Sequence, residues 1–188
     1  MRSALIALVI GAACLATNTS RADVERWVVV PGSSTITMRV GTPVGARTGR
    51  FTRWSGDVRF DPERPETAQV AIEVDSASLR MEDARLTATA VGDGFLDSGR
   101  YPHIAFRLTG LEPAGGNRFM ARADITMKGV TRPVRFPATL RSDGQTAQMT
   151  GGFSLDRAAF GIGTRGPWNG LIGQQVRVDV SLATRPAA

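Results

Sequence analysis

The sequence of 188 residues contains one histidine, His103, and one cysteine, Cys14, so the residue types most used in nucleophilic and metal chemistry are scarce. A zinc site needs three or four His, Cys or carboxylate ligands, and a Cys-based nucleophile needs a histidine partner. His103 stands alone between Pro102 and an apolar alternation. We interpret it as a surface histidine at a strand edge and expect no metal and no cofactor.

Carboxylate pairs such as Asp61 with Glu63 and Glu82 with Asp83 lie in turn-forming or helix-starting segments. Acid–base catalysis needs carboxyl groups that converge on one substrate, whereas carboxylates at such positions ordinarily cap backbone N–H groups. The glycine-rich stretch 161–173 is not followed by a helical pattern, which argues against a phosphate-binding loop. The sequence therefore predicts a protein that is not an enzyme.

The positive charge is almost entirely arginine, with 22 arginines and the single Lys128 against 17 acidic residues, for a formal charge of +6. These residues are scattered singly from Arg26 to Arg185, a distribution that predicts no nucleic-acid binding. A hydrophobic content of 42% excludes a disordered tail protein. The length is that of one domain.

The N-terminal segment resembles a secretory signal. A positive start is followed by an apolar run from Ala4 to Ala16 and by Ser20-Arg21-Ala22, which predicts cleavage after Ala22. The run is shorter than the roughly 20 residues that span a bilayer, so we expect no integral membrane span. The predicted organisation is a signal peptide over residues 1–22 and one exported, cysteine-free domain over residues 23–188.

Beyond this segment, apolar and polar residues alternate with a period of two, as in Ile104, Phe106 and Leu108. About eight such runs are separated by turn-forming groups, which predicts an all-β, antiparallel fold that closes into a barrel or stacks as a sandwich. An outer-membrane barrel is disfavoured because three Trp and one Tyr cannot form aromatic girdles. Helical spacing of Leu79, Leu86 and Ala90 predicts one short helix.

Five motifs, read in order, resemble the YceI-like family of bacterial periplasmic proteins, which are also called polyisoprenoid-binding. They are G-x-F with F-D-P in 49–62, D-x-x-S-L in 75–79, F-x-D with Y-P-x-I-x-F in 95–106, T-x-x-G-V-T-x-P-V in 126–134 and R-x-x-F-G-I in 157–162. Two departures are the absence of an Asp and a His before Ser34 and of an Arg directly before Asp83.

The resemblance implies a lipocalin-like barrel of about eight strands whose apolar interior takes up a long-chain lipid without chemistry. A polyprenyl chain, an isoprenoid quinone or a fatty amide would be the partner, and the protein would act as a periplasmic carrier. A homodimer is one option for its assembly. The alternative is a stress-response or structural partner protein whose barrel is filled by its own side chains.

The candidate lipid-binding residues are the bulky members of the apolar faces, since a lining of Phe, Met and Ile suits a flexible hydrocarbon. Small residues on those faces, Ala121, Ala123, Ala138, Ala147 and Gly151, are expected to leave room for a tunnel. The predicted lining consists of Met38, Phe51, Phe60, Ile72, Val74, Leu79, Leu86, Phe95, Ile104, Phe106, Phe119, Ile125, Met127, Phe136, Met149, Phe153, Phe160 and Ile162.

A second set of candidates is polar or amphipathic and is predicted to lie at the mouth of the tunnel, where it would select the head group. This set consists of Arg132, Asp156, Arg157 and Trp168. Two alternatives remain open from the sequence. Asp156 and Arg157 either bind a head group or form a structural ion pair, and Trp168 is either a flap over the mouth or a plug.

Overall fold

The computed structural model describes residues 26–61 and 63–187. The predicted signal peptide lies outside these residues. Two helices, α1 (Ala84–Val91) and α2 (Trp168–Leu171), accompany the strands, and neither helix in the described ranges is long and apolar enough to span a bilayer. The strands are β1 (Arg26–Val29), β2 (Thr35–Thr42), β3 (Gly45–Phe51), β4 (Trp54–Arg59), β5 (Gln69–Asp75), β6 (Leu79–Met81), β7 (His103–Pro113), β8 (Arg118–Met127), β9 (Val130–Ser142), β10 (Ala147–Asp156) and β11 (Gln175–Pro186).

Eight antiparallel strands close into a barrel in the order β1-β4-β5-β7-β8-β9-β10-β11, and the pairing of β11 with β1 completes the ring. The remaining strands β2, β3 and β6 extend the sheet from the free part of β11. The apolar face of the alternation points inward, where it forms one hydrophobic core. The predicted antiparallel barrel of about eight strands is thus confirmed.

Strand β11 joins the ring to the extension because it pairs with two strands on one side. Its residues 176–181 pair with β2, and its residues 184–186 pair with β1. A 3₁₀ turn at Pro31–Ser33 separates β1 from β2. The buried Ser34 bridges this break, since its hydroxyl donates to the Val30 carbonyl oxygen (2.8 Å) and accepts from the Ala183 N–H (2.9 Å).

The predicted helix is present, but it begins later than the apolar spacing indicated. Leu79 belongs to β6, and α1 starts at Ala84 because the Asp83 carboxylate caps the helix by accepting from the Leu86 N–H (2.8 Å). Leu79 and Leu86 therefore belong to different elements, although their seven-residue spacing fits one helix.

Strands β9 and β10 pair over five residues each, which is half of β10 and less than half of β9. The ladder joins residues 138–142 to residues 147–151 and then stops. Pro133 and Pro137, which have no N–H to donate, both lie in the part of β9 that β10 does not pair with. The two strands can separate there, and the buried Phe160 of the following 3₁₀ turn joins the core.

Candidate functional site

An apolar cavity of about 170 Å³ lies inside one half of the barrel. Of its wall residues, only Arg157 is charged, and all the others are apolar. The wall consists of Ile36, Met38, Phe51, Val70, Ile72, Val74, Leu79, Leu96, Ile104, Phe106, Leu108, Ile125, Met127, Phe136, Met149, Gly151, Phe153, Leu155, Arg157, Ile162, Val176, Val178, Val180 and Leu182.

Burial along single strands shows where the cavity begins. On β11 the inward residues Val176, Val178 and Val180 are half-buried, whereas Leu182 and Thr184 are buried. Strand β7 shows the same change in burial along its length, with half-buried Ile104 and Phe106 followed by buried Leu108 and Leu111. We call the half that contains the cavity the cavity end, and it includes the β2–β3 and β8–β9 turns. The opposite half, with the β7–β8 and β9–β10 turns, is the packed end.

The packed end is closed by aromatic side chains. Trp27 is 1% exposed, its indole N–H donates to the Phe60 carbonyl oxygen (3.1 Å), and its ring meets the Phe60 ring edge-on at 5.5 Å. Across β8 and β9, Phe119 stands opposite Ala138 and Ala121 opposite Phe136. Each large ring thus has a small neighbour, which lets the interior fill to normal density.

At the cavity end, the guanidinium of the buried Arg157 holds the loop between β10 and β11 in place. Its five N–H donors all go to carbonyl oxygens of that loop. The acceptors are Gly173 (3.0 Å from Nε), Ile162 and Gly163 (2.9 and 2.8 Å from Nη1), and Asn169 and Ile172 (3.0 and 2.8 Å from Nη2). Arg157 is therefore saturated by the backbone, and the prediction that its side chain selects a head group is wrong.

The same loop is fastened to the segment that follows α1. The Gly163 N–H donates to the Gly94 carbonyl oxygen (2.8 Å), and Trp168 meets Phe95 edge-on at 5.8 Å. The Lys128 ammonium group, from the β8–β9 turn, donates to the carbonyl oxygens of Phe95 (2.8 Å) and Gly161 (3.3 Å). These contacts hold two loops together across the cavity end, with Leu96 and Ile162 facing the cavity.

Most of the predicted lining residues share this cavity. Those that line it are Met38, Phe51, Ile72, Val74, Leu79, Ile104, Phe106, Ile125, Met127, Phe136, Met149, Phe153 and Ile162. The other five do not line it, for three reasons. Phe60 and Phe119 fill the packed end, Phe160 is buried in the 3₁₀ turn after β10, and Leu86 and Phe95 lie half-buried in α1 and in the segment after it.

Sequence reasoning missed nine apolar wall residues, eight of which lie on strands. They are Ile36, Val70, Leu96, Leu108, Leu155, Val176, Val178, Val180 and Leu182. Their positions continue the alternation that identified the predicted ones, so the signal was present. Selecting by bulk rather than by face discarded the valines and leucines.

The mouth candidates other than Arg157 remain accessible. Arg132 is exposed, and its guanidinium donates to the Thr131 carbonyl oxygen (3.3 Å). The Asp156 carboxylate accepts from the Ala158 N–H and from the Gln174 amide (both 2.9 Å), so the alternative of an ion pair with Arg157 is also wrong. Trp168 is 42% exposed and packs on Phe95, away from the cavity wall.

Three of the four carboxylates considered for acid–base chemistry, Asp61, Glu82 and Asp83, serve as caps or ion-pair partners. Asp61 accepts from the Glu63 N–H and the Arg64 guanidinium (both 2.9 Å), and these bonds lower the pKa of Asp61. Hydrogen bonds from the backbone N–H and hydroxyl of Thr48, with Arg47 nearby, lower the pKa of Glu82. A general acid at neutral pH needs the opposite shift.

His103 is exposed and lies 3.2 Å from the Glu73 carboxylate, at the start of β7. Within residues 26–61 and 63–187, no three His, Cys, Asp or Glu side chains are grouped as metal ligands. The site that the structure presents is therefore the apolar cavity and the loops that close it.

Comparison with known proteins adds the family. The family model described as the YceI-like domain matches residues 27–184, nearly the whole of the barrel. The chain belongs to the YceI-like family. This YceI-like chain is similar to a UPF0312 protein of Pseudomonas fluorescens, with 32% identity over 140 residues that cover 71% of each chain.

Solved structures share the barrel of this YceI-like chain. Burkholderia cenocepacia BcnA superposes with a TM-score of 0.78 at 25% identity, covering 82% of this chain and 98% of that one. A polyisoprenoid binding domain from Saccharophagus degradans superposes with a TM-score of 0.67 at 14% identity, covering 86% and 98%. At that identity, the second likeness concerns the fold alone.

Proposed function

We propose that the protein binds one long-chain apolar lipid in its barrel and carries it through the periplasm without catalysis. The observation that carries the proposal is the cavity wall, in which the single charged residue, Arg157, has every donor occupied by the backbone. A wall without a free polar group favours a hydrocarbon over any polar ligand. The name of the Saccharophagus degradans domain, which states polyisoprenoid binding, agrees with that ligand class.

The size of the cavity sets a condition on the ligand. An apolar cavity of about 150 Å³ holds a molecule the size of benzene, so about 170 Å³ holds only a short part of a lipid chain. Met38, Met127 and Met149 line the cavity, and methionine side chains rotate readily to fit irregular shapes. We infer that rotation of these side chains enlarges the cavity as the chain enters.

The energy of burial is sufficient for such rearrangement. Each CH₂ group transferred from water gains about 0.8 kcal/mol, so about a dozen carbons gain on the order of 10 kcal/mol before ordering costs. A polyprenyl chain, the tail of an isoprenoid quinone and the acyl chain of a fatty amide all meet this requirement. The head group would stay near the accessible Arg132 and Asp156.

The deciding experiment is mass spectrometry of an organic extract of the purified protein, beside native mass spectrometry of the same sample. We expect a single long-chain species at near one molecule per chain. A well-folded protein that contains no lipid and does not bind added polyprenyl or fatty-acyl chains would overturn the carrier function. It would favour the alternative of a stress-response or structural partner protein that binds no ligand.

A matched pair of variants on β10 tests the location. Met149 lines the cavity, whereas its neighbour Thr150 is exposed on the outer face. We expect Met149→Trp to lower lipid occupancy at least about fivefold, because the larger indole takes up cavity space and displacing it for the lipid costs about 1–3 kcal/mol. Thr150→Trp should bind lipid as the wild type does. If Met149→Trp fails to fold, the smaller change Val178→Phe, also in the wall, takes its place.

A further inference from the structure

Four large apolar side chains are exposed in the described part of the chain, and three of them lie at the cavity end. Val44 is 77% exposed at the tip of the β2–β3 turn, and Trp168 and Leu171 are 42% and 47% exposed, one turn apart on α2. The fourth, Val28, is 44% exposed on β1 at the packed end. We call Val44, Trp168 and Leu171 the rim.

The two loops that carry the rim are bonded to each other. The Gly173 N–H donates to the Gly41 carbonyl oxygen (2.8 Å). Gly173 lies two residues after Leu171, and Gly41 lies three residues before Val44, near the end of β2. Within that turn, the Thr42 hydroxyl donates to the Gly45 carbonyl oxygen (2.6 Å). The rim is therefore one patch rather than three unrelated exposures, and it lies outside the cavity wall. Clustered apolar exposure of this kind marks an interaction surface.

The sequence around the rim is basic and free of acidic residues over two long stretches. Residues 35–56 contain four arginines and residues 157–178 contain three, with no Asp or Glu in either stretch. The arginines are Arg39, Arg47, Arg50, Arg53, Arg157, Arg165 and Arg177. Scattered along the chain, they gave no basic patch in the linear sequence, and the fold brings the two stretches together through the pairing of β11 with β2.

Acidic side chains outside the two stretches neutralise only part of this charge. Glu82, Asp75 and Asp179 pair with Arg47, Arg53 and Arg177. The guanidinium groups of Arg39, Arg50 and Arg165 have no ion-pair or hydrogen-bond partner within residues 26–61 and 63–187.

Two pairs of directly opposed residues on neighbouring strands carry like charges. Arg39 stands opposite Arg177 across β2 and β11, and Arg50 stands opposite Arg80 across β3 and β6. Directly opposed like charges destabilise a sheet. Lipid phosphates beside Arg39, the member of these pairs that lies near the rim, would reduce its repulsion with Arg177.

The spacing between the tip and the arginines matches the depth of a membrane boundary. Arg47 is two residues from Gly45 and Arg39 three from Thr42, so at about 3.4 Å per residue they lie about 7 and 10 Å from the tip. Interfacial apolar groups enter the head-group boundary by about 5–10 Å. With Val44 in that boundary, both guanidinium groups reach the level of the phosphates.

We propose that the rim docks on an anionic phospholipid bilayer, with Val44, Trp168 and Leu171 in the head-group boundary and Arg39, Arg47 and Arg165 against the lipid phosphates. Tryptophan is a typical interfacial residue, and arginines near an anionic leaflet add attraction. An apolar tip flanked by Arg39 and Arg165, whose guanidinium groups are unpaired within the described residues, and by Arg47, which Glu82 neutralises, fits a bilayer better than an acidic protein, which offers no apolar layer of uniform depth. The docking surface is separate from the cavity and does not depend on the proposed lipid cargo.

The test is co-sedimentation with vesicles of equal parts phosphatidylcholine and phosphatidylglycerol, compared with phosphatidylcholine alone. We expect binding to the anionic vesicles that falls at least about tenfold in Val44→Asp and in Leu171→Asp, and that is lost in high salt. Val28→Asp is the matched control, an exposed valine at the packed end, and should bind as the wild type does. All variants carry the same N-terminal segment, so residues 1–25 contribute equally.

Several results would overturn the docking surface. They are equal binding to neutral vesicles, equal loss in Val28→Asp, or undiminished binding in Val44→Asp and Leu171→Asp. Binding to a soluble polyanion without binding to vesicles would also overturn it and would point to an acidic protein partner. The cavity variant Met149→Trp should still bind vesicles, so a failure of docking is distinguishable from a failure of the lipid cargo.

Discussion

At the packed end, Trp27 packs against Phe60 and the interior is filled, whereas about 170 Å³ stays open at the cavity end of the same strands. Strand β11 contributes to both halves, with buried Leu182 near one and half-buried Val178 near the other. The barrel wall is therefore common to the two ends. What differs is how far the inward side chains reach.

The difference shows that small residues do not by themselves make a cavity. Ala121, Ala123, Ala138 and Ala147 are buried, and large rings occupy space beside them, since Phe119 stands opposite Ala138, and Phe136, itself part of the cavity wall, stands opposite Ala121. The cavity is instead lined largely by valine, isoleucine, leucine and methionine that leave the centre open. The expectation that these alanines leave room for a tunnel is wrong, and only Gly151 among the small candidates lines the cavity.

The largest expected effect is the difference in stability cost between removing the indole of Trp27 at the packed end and that of Trp168 at the cavity end. Trp27→Ala should lower the free energy of unfolding by about 3–5 kcal/mol, because it opens a cavity in a filled core and removes the donor to the Phe60 carbonyl. Trp168→Ala, at an exposed position, should cost less than about 1 kcal/mol. Urea denaturation measures both. Equal costs would mean that the two ends are packed alike.

A smaller effect is expected from Arg157, which gives the cavity end its order by hydrogen bonds rather than by packing. Arg157→Met leaves five carbonyl oxygens of one loop without their donor and should cost about 2–4 kcal/mol. Hydrogen exchange should rise in residues 162–173, while the packed end stays protected. Arg165→Met, in the same loop but exposed, is the control. Unchanged exchange in the loop would contradict the role of Arg157.

The sequence predicted the barrel better than it predicted the cavity, and the reason is the range of the contacts involved. Period-two alternation predicts antiparallel strands with one apolar face from residues two apart, and the resemblance to the YceI-like family implied that they close into a barrel. Whether Phe60 fills the interior while Phe51 lines a void depends on strands distant in sequence, through the pairing of β4 with β1 and of β3 with β6. A linear pattern holds no such information.

Arg157 and the rim illustrate the same limit. A lone arginine after Asp156 predicts a head-group contact or an ion pair equally well, and only the closure of the loop at Gly173 shows that carbonyl oxygens take all its donors. The arginines around the rim are isolated in the sequence and become neighbours when β2 and β11 pair.

The smallest effect is electrostatic and compares one exposed carboxylate at each end. Glu82, bonded by Thr48, supports the short β3–β6 edge at the cavity end, and Asp143, bonded by the Thr146 and Gln145 N–H groups, closes the β9–β10 turn at the packed end. These bonds lower the pKa of each carboxyl in the folded protein. Each group therefore stabilises the fold above its unfolded pKa, about 4, and this contribution is lost as the pH falls through the lower, folded value.

We accordingly expect the melting temperature of the wild type to fall on acidification below about pH 4. Glu82→Gln and Asp143→Asn should each lower the melting temperature slightly at neutral pH and flatten its decline in acid. Thermal melts over a pH series measure both changes. Since both side chains are solvent-exposed and screened, the two variants should differ little from each other, in contrast to the two tryptophan variants. Melting curves of the variants that parallel that of the wild type at every pH would show that these hydrogen bonds contribute nothing to stability. A much larger change in melting temperature for Asp143→Asn than for Glu82→Gln would mean that the two ends differ in electrostatic stabilisation as well as in packing.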